Sequence, residues 1–343
     1  MTSHAEFGEK TPGSEVAEVF GDHIRGRTIL ITGVSPRGIG ATTALAFASQ
    51  QPGLLILASR TRSKVEEVTK QIRSKHPDAR VEIVSLDLGS QQKIREAVKE
   101  VERLTDRLDI LVNNAGLVVT SRQQTPEGIE MQFGTNHIGP FLFTNLLLPL
   151  LRNAAGRSPL PAGGGATRVV TVSSGGHRLS PIRFSDYNFE GKTEVPPEED
   201  HFKPLPGAFG NFTTDGYNGI ITYCQSKTAN ILFTLYLQKH LPRLGITPYV
   251  IHPGTIETEL SRDQDAELTA QFYKTGLYWK TVDEGCSTTL VAALDPALNE
   301  VKGLYLSDCQ FTDPYAHAND PVAAERLWKL SEELVGEKFT LEA

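Results

Sequence analysis

Cysteine is scarce in this chain: only Cys224, Cys286 and Cys309 occur in 343 residues. An odd number at wide spacing excludes a disulfide framework and offers no zinc-ligand pattern, so no metal site is expected and the compartment should be reducing. Long hydrophobic runs are missing too. The longest apolar stretches fall well short of the roughly 18 residues that cross a bilayer, so no membrane span is expected. The N-terminus, MTSHAEFGEKTPGSE, is polar and lacks the apolar stretch of a secretory signal. On that reading Asn211-Phe212-Thr213 matches a glycosylation sequon by chance. Positive charge is not in excess either, since 34 Lys and Arg face 41 Asp and Glu for a net charge of −7. That balance excludes a nucleic-acid partner, whose phosphates demand a basic face. A cytoplasmic protein acting on a small molecule is the expectation.

What is present is a globular chain, 39% hydrophobic and 22% charged, long enough to bury a core without cross-links. Residues 1–24 read as a loose N-terminal arm. Beyond it, short β-rich runs at 28–32, 54–58, 81–85, 109–112, 168–172, 247–251 and 303–306 alternate with helix-length segments near 39–50, 63–75, 90–104, 127–152, 218–241 and 283–294. Several of the strand runs are continuously apolar, as suits strands covered on both faces. The alternation predicts one α/β domain over residues 25–343, a Rossmann-type doubly wound parallel sheet of about seven strands flanked by helices. Two stretches break the rhythm. Residues 153–166, rich in Gly, Pro and Ala, read as a mobile surface loop. Residues 176–217 form a long irregular insertion after the fifth strand, at the carboxyl edge where open α/β sheets bind ligands, and are expected to act as a substrate lid.

The stretch Thr32–Gly40 reads TGVSPRGIG. A nucleoside-triphosphate loop would need Lys after Gly38, but Ile39 stands there, so phosphoryl transfer is excluded. A dinucleotide reading survives. Gly33 ends a strand, and Gly38 and Gly40 open a helix whose amides would face a pyrophosphate. An acid at the end of the second strand would bind a ribose 2′-hydroxyl. Here Ser59 and Arg60 stand in that place, with Ser35 and Arg37 in the glycine loop. A guanidinium pairs with a 2′-phosphate that a carboxylate would repel, which points to NADP(H). Arg62 and Lys64 read equally well as solvated charges at a helix start.

Further motifs follow in order: Leu86-Asp87-Leu88, Asn113-Asn114-Ala115-Gly116, Thr135-Asn136-His137, Val172-Ser173-Ser174, Tyr223-Cys224-Gln225-Ser226-Lys227, and Pro253-Gly254 with Thr258. With them the chain resembles the short-chain dehydrogenase/reductase family over about residues 25–310. Its finer texture, in VSSGGHR, YCQSKTANILF and HPGTIETEL, resembles the branch of retinol dehydrogenases, WW-domain oxidoreductases and fungal relatives. The glycine loop departs from the family pattern by one added residue between Gly33 and Gly38, which reads as a wider cradle.

Tyr223 and Lys227 lie one turn apart on an expected helix, hence on one face. A free phenol, with a pKa of about 10, is a poor acid or base at neutral pH. A nearby ammonium and the positive charge of an oxidised nicotinamide stabilise the phenolate, which makes Tyr223 the expected proton donor and acceptor. The resemblance implies the remaining roles. Lys227 would also bond the nicotinamide ribose. Ser174, rather than Ser173, would polarise the substrate carbonyl, and Asn136 would hold a water linking Lys227 to solvent. Asp87 and Leu88 would flank the adenine, while Asn113, Ala115 and Gly116 would line the ribose. Pro253, Ile256 and Thr258 would grip the carboxamide. His177, Cys224 and His252 read as structural or pocket-lining.

The expectation is an NADP(H)-dependent oxidoreductase, chiefly a ketone or aldehyde reductase, acting on a lipophilic carbonyl or alcohol of polyketide, retinoid or steroid type. Two other classes stay open: a non-catalytic dinucleotide-binding sensor or scaffold, and an NAD(P)-using epimerase or dehydratase. The resemblance also implies a homodimer or homotetramer paired through the helices at 127–152 and 218–241.

Overall fold

The computed structural model describes residues 1–156, 166–191, 195–258, 260, 266–275 and 279–341. Its centre is an eight-stranded sheet in the order β10-β9-β6-β5-β4-β1-β2-β3. The strands are β1 (Thr28–Thr32), β2 (Leu54–Ser59), β3 (Val81–Ser85), β4 (Ile110–Asn113), β5 (Thr167–Val172), β6 (Ile246–His252), β9 (Tyr305–Ser307) and β10 (Gln310–Thr312). All neighbours pair in parallel except β9 and β10. A separate parallel pair joins β7 (Thr255–Ile256) to β8 (Trp279–Lys280). The helices are α1 (Gly13–Val19), α2 (Ile39–Ala48), α3 (Arg62–Lys75), α4 (Gln91–Leu104), α5 (Met131–Phe133), α6 (Gly139–Leu146), α7 (Leu148–Ala155), α8 (Gly219–His240), α9 (Ala266–Thr275), α10 (Val282–Leu294) and α11 (Pro321–Val335). This is the doubly wound Rossmann-type domain expected from the alternation of elements.

The strand pattern explains the two layers. Alternate side chains leave opposite faces of a strand. In β1, Ile29 and Ile31 enter the core shared with α1, α2, α3 and α10, while Leu30 enters the core shared with α4, α6, α8 and α11. Every residue of β1 is buried for this reason. The chain runs from β1 outward to β3, then returns to β4 on the other side of β1. The carboxyl ends of β1 and β4 therefore form the switch point at which such sheets hold ligands.

Four expectations need correction. The N-terminal arm is docked, not loose. Phe7, Val16, Ala17, Phe20 and Ile24 are buried, and Gln310 Nε2 donates to the carbonyls of His4 (2.9 Å) and Phe7 (2.8 Å). Val16, Ala17, Phe20 and Ile24 do recur at helical spacing, but the arm's hydrogen-bond partner lies at the other end of the chain. The sheet has an eighth strand, β10, which is only three residues long and follows a turn made by Asp308 and Cys309 rather than glycine. The helix expected over 127–152 is broken into α5, a π-turn at Gly134–Ile138, α6 and α7. Pro140 and Pro149 fit because each sits in a first turn, where its missing N–H leaves no bond unmade.

The fourth concerns α11, which the sequence pattern did not single out. Trp328 stacks on Tyr236 of α8 at 4.2 Å and meets Phe141 of α6 edge-on at 4.8 Å. His137 Nε2 shares a hydrogen bond with Ser331 Oγ at 2.8 Å. α11 thus covers part of the faces of α6 and α8. Of the expected surface loop at 153–166, residues 157–165 lie outside the described residues.

The insertion at 176–217 has no strand among its described residues, only short 3-10 turns, but buried polar groups pin it. Glu199 accepts from Ser185 N (2.7 Å) and Arg326 (2.9 Å). The Tyr217 hydroxyl donates to Glu130 at 2.8 Å.

Candidate active site

The glycine loop and the Asn113–Gly116 turn meet at the carboxyl ends of β1 and β4. Gly33 has φ +73°, and a Cβ added there would fall 2.5 Å from Ala115 Cα. A Cβ on Gly40 would fall 2.6 Å from Asn114 Nδ2. Glycine is required at both positions by close approach, and at Gly33 by backbone conformation as well. Asn114 Nδ2 donates to the carbonyl of Thr32 at 2.8 Å, and Thr32 Oγ1 accepts from the amides of Asn114 (3.1 Å) and Ala115 (3.0 Å). Thr32 and Asn114 thus stitch the two loops together. The motif quoted both residues, but neither stood among the expected site residues.

Gly38 is the N-cap of α2 in an extended conformation, and no side chain caps the helix. The first-turn amides at Ile39 and Gly40 are thus left without a capping side chain, an arrangement suited to an anion. Arg37 adopts φ 60°, a left-handed conformation uncommon for a residue with a side chain. It sits in the part of the loop that carries the added residue, beside Ser35. At the end of β2, Ser59 is half-buried and Arg60 exposed, whereas Arg62 is engaged with Glu66 at 3.0 Å. After β3, Asp87 Oδ1 accepts from Gly89 N at 3.0 Å. Leu88 is buried where Gly139 allows α6 to close in, since a Cβ on Gly139 would fall 2.3 Å from the Leu88 carbonyl oxygen. Asn113 is different. Its side chain is buried and donates to Thr144 Oγ1 at 2.8 Å, so only its main chain remains for a cofactor to meet.

The reactive groups gather at the end of β5. Asn218 caps α8 by accepting from Ile220 N (2.9 Å) and Ile221 N (3.0 Å), which sets Tyr223 and Lys227 on the face toward the sheet. The half-buried Tyr223 phenol hydrogen-bonds the Ser174 side chain. Ser174 Oγ also accepts from Gly176 N at 3.1 Å. Ser173 turns the other way, buried and donating to the Lys227 carbonyl at 2.7 Å. Lys227 Nζ donates to the Val172 carbonyl at 3.1 Å and lies 5.6 Å from the Tyr223 ring centre. Burial pushes the Tyr223 phenol above its ordinary range, with the Ser174 hydrogen bond working against it. Burial also pushes the Lys227 ammonium down to about 8.

Asn136 lies in the π-turn. Its Oδ1 accepts from Leu117 N at 2.8 Å, and its Nδ2 donates to the Leu117 carbonyl and Ser226 Oγ, both at 3.0 Å. A Cβ on Gly116 would fall 3.3 Å from Lys227 Nζ and 3.5 Å from Asn136 Oδ1. Gly116, Asn136 and Lys227 therefore converge. On the other side, Ile256 and Ile39 both approach Gly285 of α10, with a Cβ there 2.7 Å and 3.7 Å from their side chains. Pro253 is buried, and Thr258 Oγ1 accepts from Leu260 N at 3.3 Å.

The histidines and Cys224 support this constellation from behind. His177 Nδ1 donates to the Ser174 carbonyl at 2.7 Å while Nε2 accepts from Tyr315 N at 3.1 Å. His252 Nδ1 accepts from Gly175 N at 3.2 Å. Burial holds both near 4 and so neutral at neutral pH, and lifts the Cys224 thiol to about 12. The Tyr223 ring itself lies in an apolar cluster of Leu179, Leu205 and Phe209 with Leu268 and Phe272 of α9. The contribution of α9 was not legible beforehand, because it depends on contacts across the chain. Among the described residues there is no cluster able to hold a metal, and no helix long and apolar enough to cross a membrane.

A hydroxyl and a phenol sharing one hydrogen bond, with a buried cation behind them, can hold a carbonyl oxygen and exchange a proton with it. The chain is similar to known proteins over most of its length. Residues 27–188 match the family model for short chain dehydrogenase. Retinol dehydrogenase 14 of Mus musculus is 33% identical across 91% of this chain and 87% of its own length. The oxidoreductase fscI of Fusarium equiseti is 34% identical across 72% of this chain and 94% of its own. Among solved structures, a Mycobacterium paratuberculosis protein superposes with a TM-score of 0.66 at 28% identity, covering 92% of this chain and 96% of that one. From its fold, its motifs and these relatives, the chain belongs to the short-chain dehydrogenase family.

Proposed function

We propose that the protein is an NADP(H)-dependent oxidoreductase that reduces a lipophilic ketone or aldehyde, or oxidises the matching alcohol. The observation that carries the reading is the grouping of Ser174, Tyr223 and Lys227 at the carboxyl end of β5, beside the glycine loop. The cradle suits a dinucleotide: Gly33, Gly40 and Gly116 leave open backbone where side chains would collide, and the α2 amides are uncapped by any side chain. Gly38, Ile39 and Gly40 would hold the pyrophosphate, and Ser35, Arg37, Ser59 and Arg60 the 2′-phosphate. Asp87 and Leu88 would take the adenine, and Ala115, Gly116 and the Asn113 main chain the ribose. Pro253, Ile256 and Thr258 would take the carboxamide.

When bound, NADPH supplies the hydride. Ser174 holds the carbonyl oxygen and stabilises its growing charge. Tyr223 delivers the proton to that oxygen, aided by the field of Lys227. Lys227 bonds the ribose and draws a replacement proton through a water held near Asn136. In alcohol oxidation the proton runs the other way. The apolar cluster around Tyr223, built from the insertion and α9, favours a lipophilic substrate with residues 176–217 as its lid. The retinol dehydrogenase names of the relatives accord with that class.

Cofactor consumption with a panel of lipophilic carbonyls, for wild type and Tyr223→Phe, tests the reading. Net NADPH oxidation by wild type alone supports it. Conversion of substrate with no net change in cofactor would indicate an epimerase, and cofactor binding without turnover a sensor.

A further inference from the structure

Lysine is rarely found fully buried without a partner. Lys280, at the end of β8 and directly before the Thr281 cap of α10, has a side chain only 2% exposed, and its ammonium meets Asp308 at 2.5 Å. The alkyl stem lies flat on Gly254. A Cβ added at that glycine would fall 2.7 Å from Lys280 Cδ and 2.8 Å from Cε, and Gly254 itself has φ +97°. The same segment is also held through its backbone, where Thr255 pairs with Trp279 and Ile256 with Lys280.

Strand pairing and stem contact do not by themselves decide where the ammonium points. The Asp308 carboxylate does, and it is firmly placed. Asp308 (φ 49°) and Cys309 (φ 64°) form a turn with two successive left-handed residues that are not glycine. Such a turn persists only when its surroundings hold it. Here α10 does so: Cys309 N donates to Thr288 Oγ1 at 3.1 Å, and its Sγ lies 3.3 Å from Ser287 Oγ. The anchor thus belongs to the buried sheet and α10, while the segment it restrains lines the site.

We propose that the Lys280–Asp308 ion pair is a latch that fixes residues 253–258, which makes Lys280 a positioning residue for the nicotinamide end of the cofactor. The proposal rests on the reading above that this segment grips the carboxamide. The pair is asymmetric. Asp308 is 46% exposed against 2% for Lys280. Removing the ammonium leaves a carboxylate that water can solvate, whereas removing the carboxylate strands a buried ammonium. Asp308→Asn therefore disturbs the segment more than Lys280→Met, which keeps most of the stem.

The test titrates NADPH and adenosine 2′,5′-bisphosphate, which lacks the nicotinamide half, against wild type, Lys280→Met and Asp308→Asn. Lys93→Met, which breaks an exposed pair on α4, serves as the control. Asp308→Asn should weaken NADPH about tenfold and Lys280→Met less, with the bisphosphate unchanged within about twofold. Hydrogen exchange in the free proteins should quicken at 254–258 in Asp308→Asn and stay unchanged in β1 to β5. Unchanged NADPH affinity, equal weakening of both ligands, or unchanged exchange at 254–258 would each overturn the latch. A wild type that binds neither nucleotide would instead overturn the dinucleotide reading, and the exchange measurement would still decide the latch.

Discussion

Lys227 Nζ stands 5.6 Å from the centre of the Tyr223 ring, with one of its N–H groups donating to the Val172 carbonyl. At that distance the cation acts on the phenol through its field, while Ser174 supplies the contact. In the proposed mechanism proton exchange falls to Tyr223. Tyr223→Phe should lower kcat by about 10²–10⁴, the usual worth of a positioned acid or base, and leave the dissociation constant for NADPH within a few-fold. Near-normal turnover in steady-state assays would remove Tyr223 from the mechanism.

Arg60 is exposed at the end of β2, and Arg62 is occupied by Glu66. Arg60→Asp should move the ratio of kcat/KM for NADPH over NADH toward NADH by about tenfold or more, since a carboxylate repels the 2′-phosphate. An unchanged ratio would place the phosphate elsewhere.

Acid should weaken the fold before it reaches the carboxylates. His137, His177 and His252 are held neutral by burial, with pKa values near 3, 4 and 4. An unfolded histidine takes up its proton at about pH 6.5, so between 6.5 and 4 the unfolded chain binds more protons than the folded one. Stability must fall as pH falls through that window. Urea unfolding at successive pH values should show it, with a shallower slope for His137→Gln. Equal slopes would argue against a neutral buried His137.

Trp328 joins α11 to α6 and α8. Trp328→Ala should cost about 3–5 kcal/mol by urea unfolding, as large aromatic truncations in cores do, and expose Phe141, Phe233 and Tyr236. Gel filtration of this variant should show association beyond that of wild type. A stable, unchanged variant would mean that α11 is dispensable to that face.

The insertion reaches Tyr223 through Leu205 and Phe209. Adding cofactor and a turned-over substrate together should slow hydrogen exchange in residues 195–217 by about tenfold, as expected when a closing segment is ordered. Exchange that ignores both ligands would count against a lid.

Much of this protein was readable from its residues. Continuous apolar runs such as Leu54–Ala58 mark strands covered on both faces, because burial of each side chain is a local property of composition and period. The Tyr223–Lys227 spacing marks one helix face for a similar reason. Other features were beyond reach because they are agreements between residues far apart in the chain. Gln310 holds the carbonyls of His4 and Phe7, Trp328 finds Tyr236 and Phe141, and Lys280 finds Asp308 across α10. The Asn113 side chain turns inward to Thr144, a partner its motif does not announce. The order of residues specified the elements and the reactive groups, since periodicity and residue chemistry act over a few positions. Docking of the termini, the cover over the paired helices and the restraint on residues 253–258 were set by packing in three dimensions, where shape and charge must match between segments with no local signal of each other.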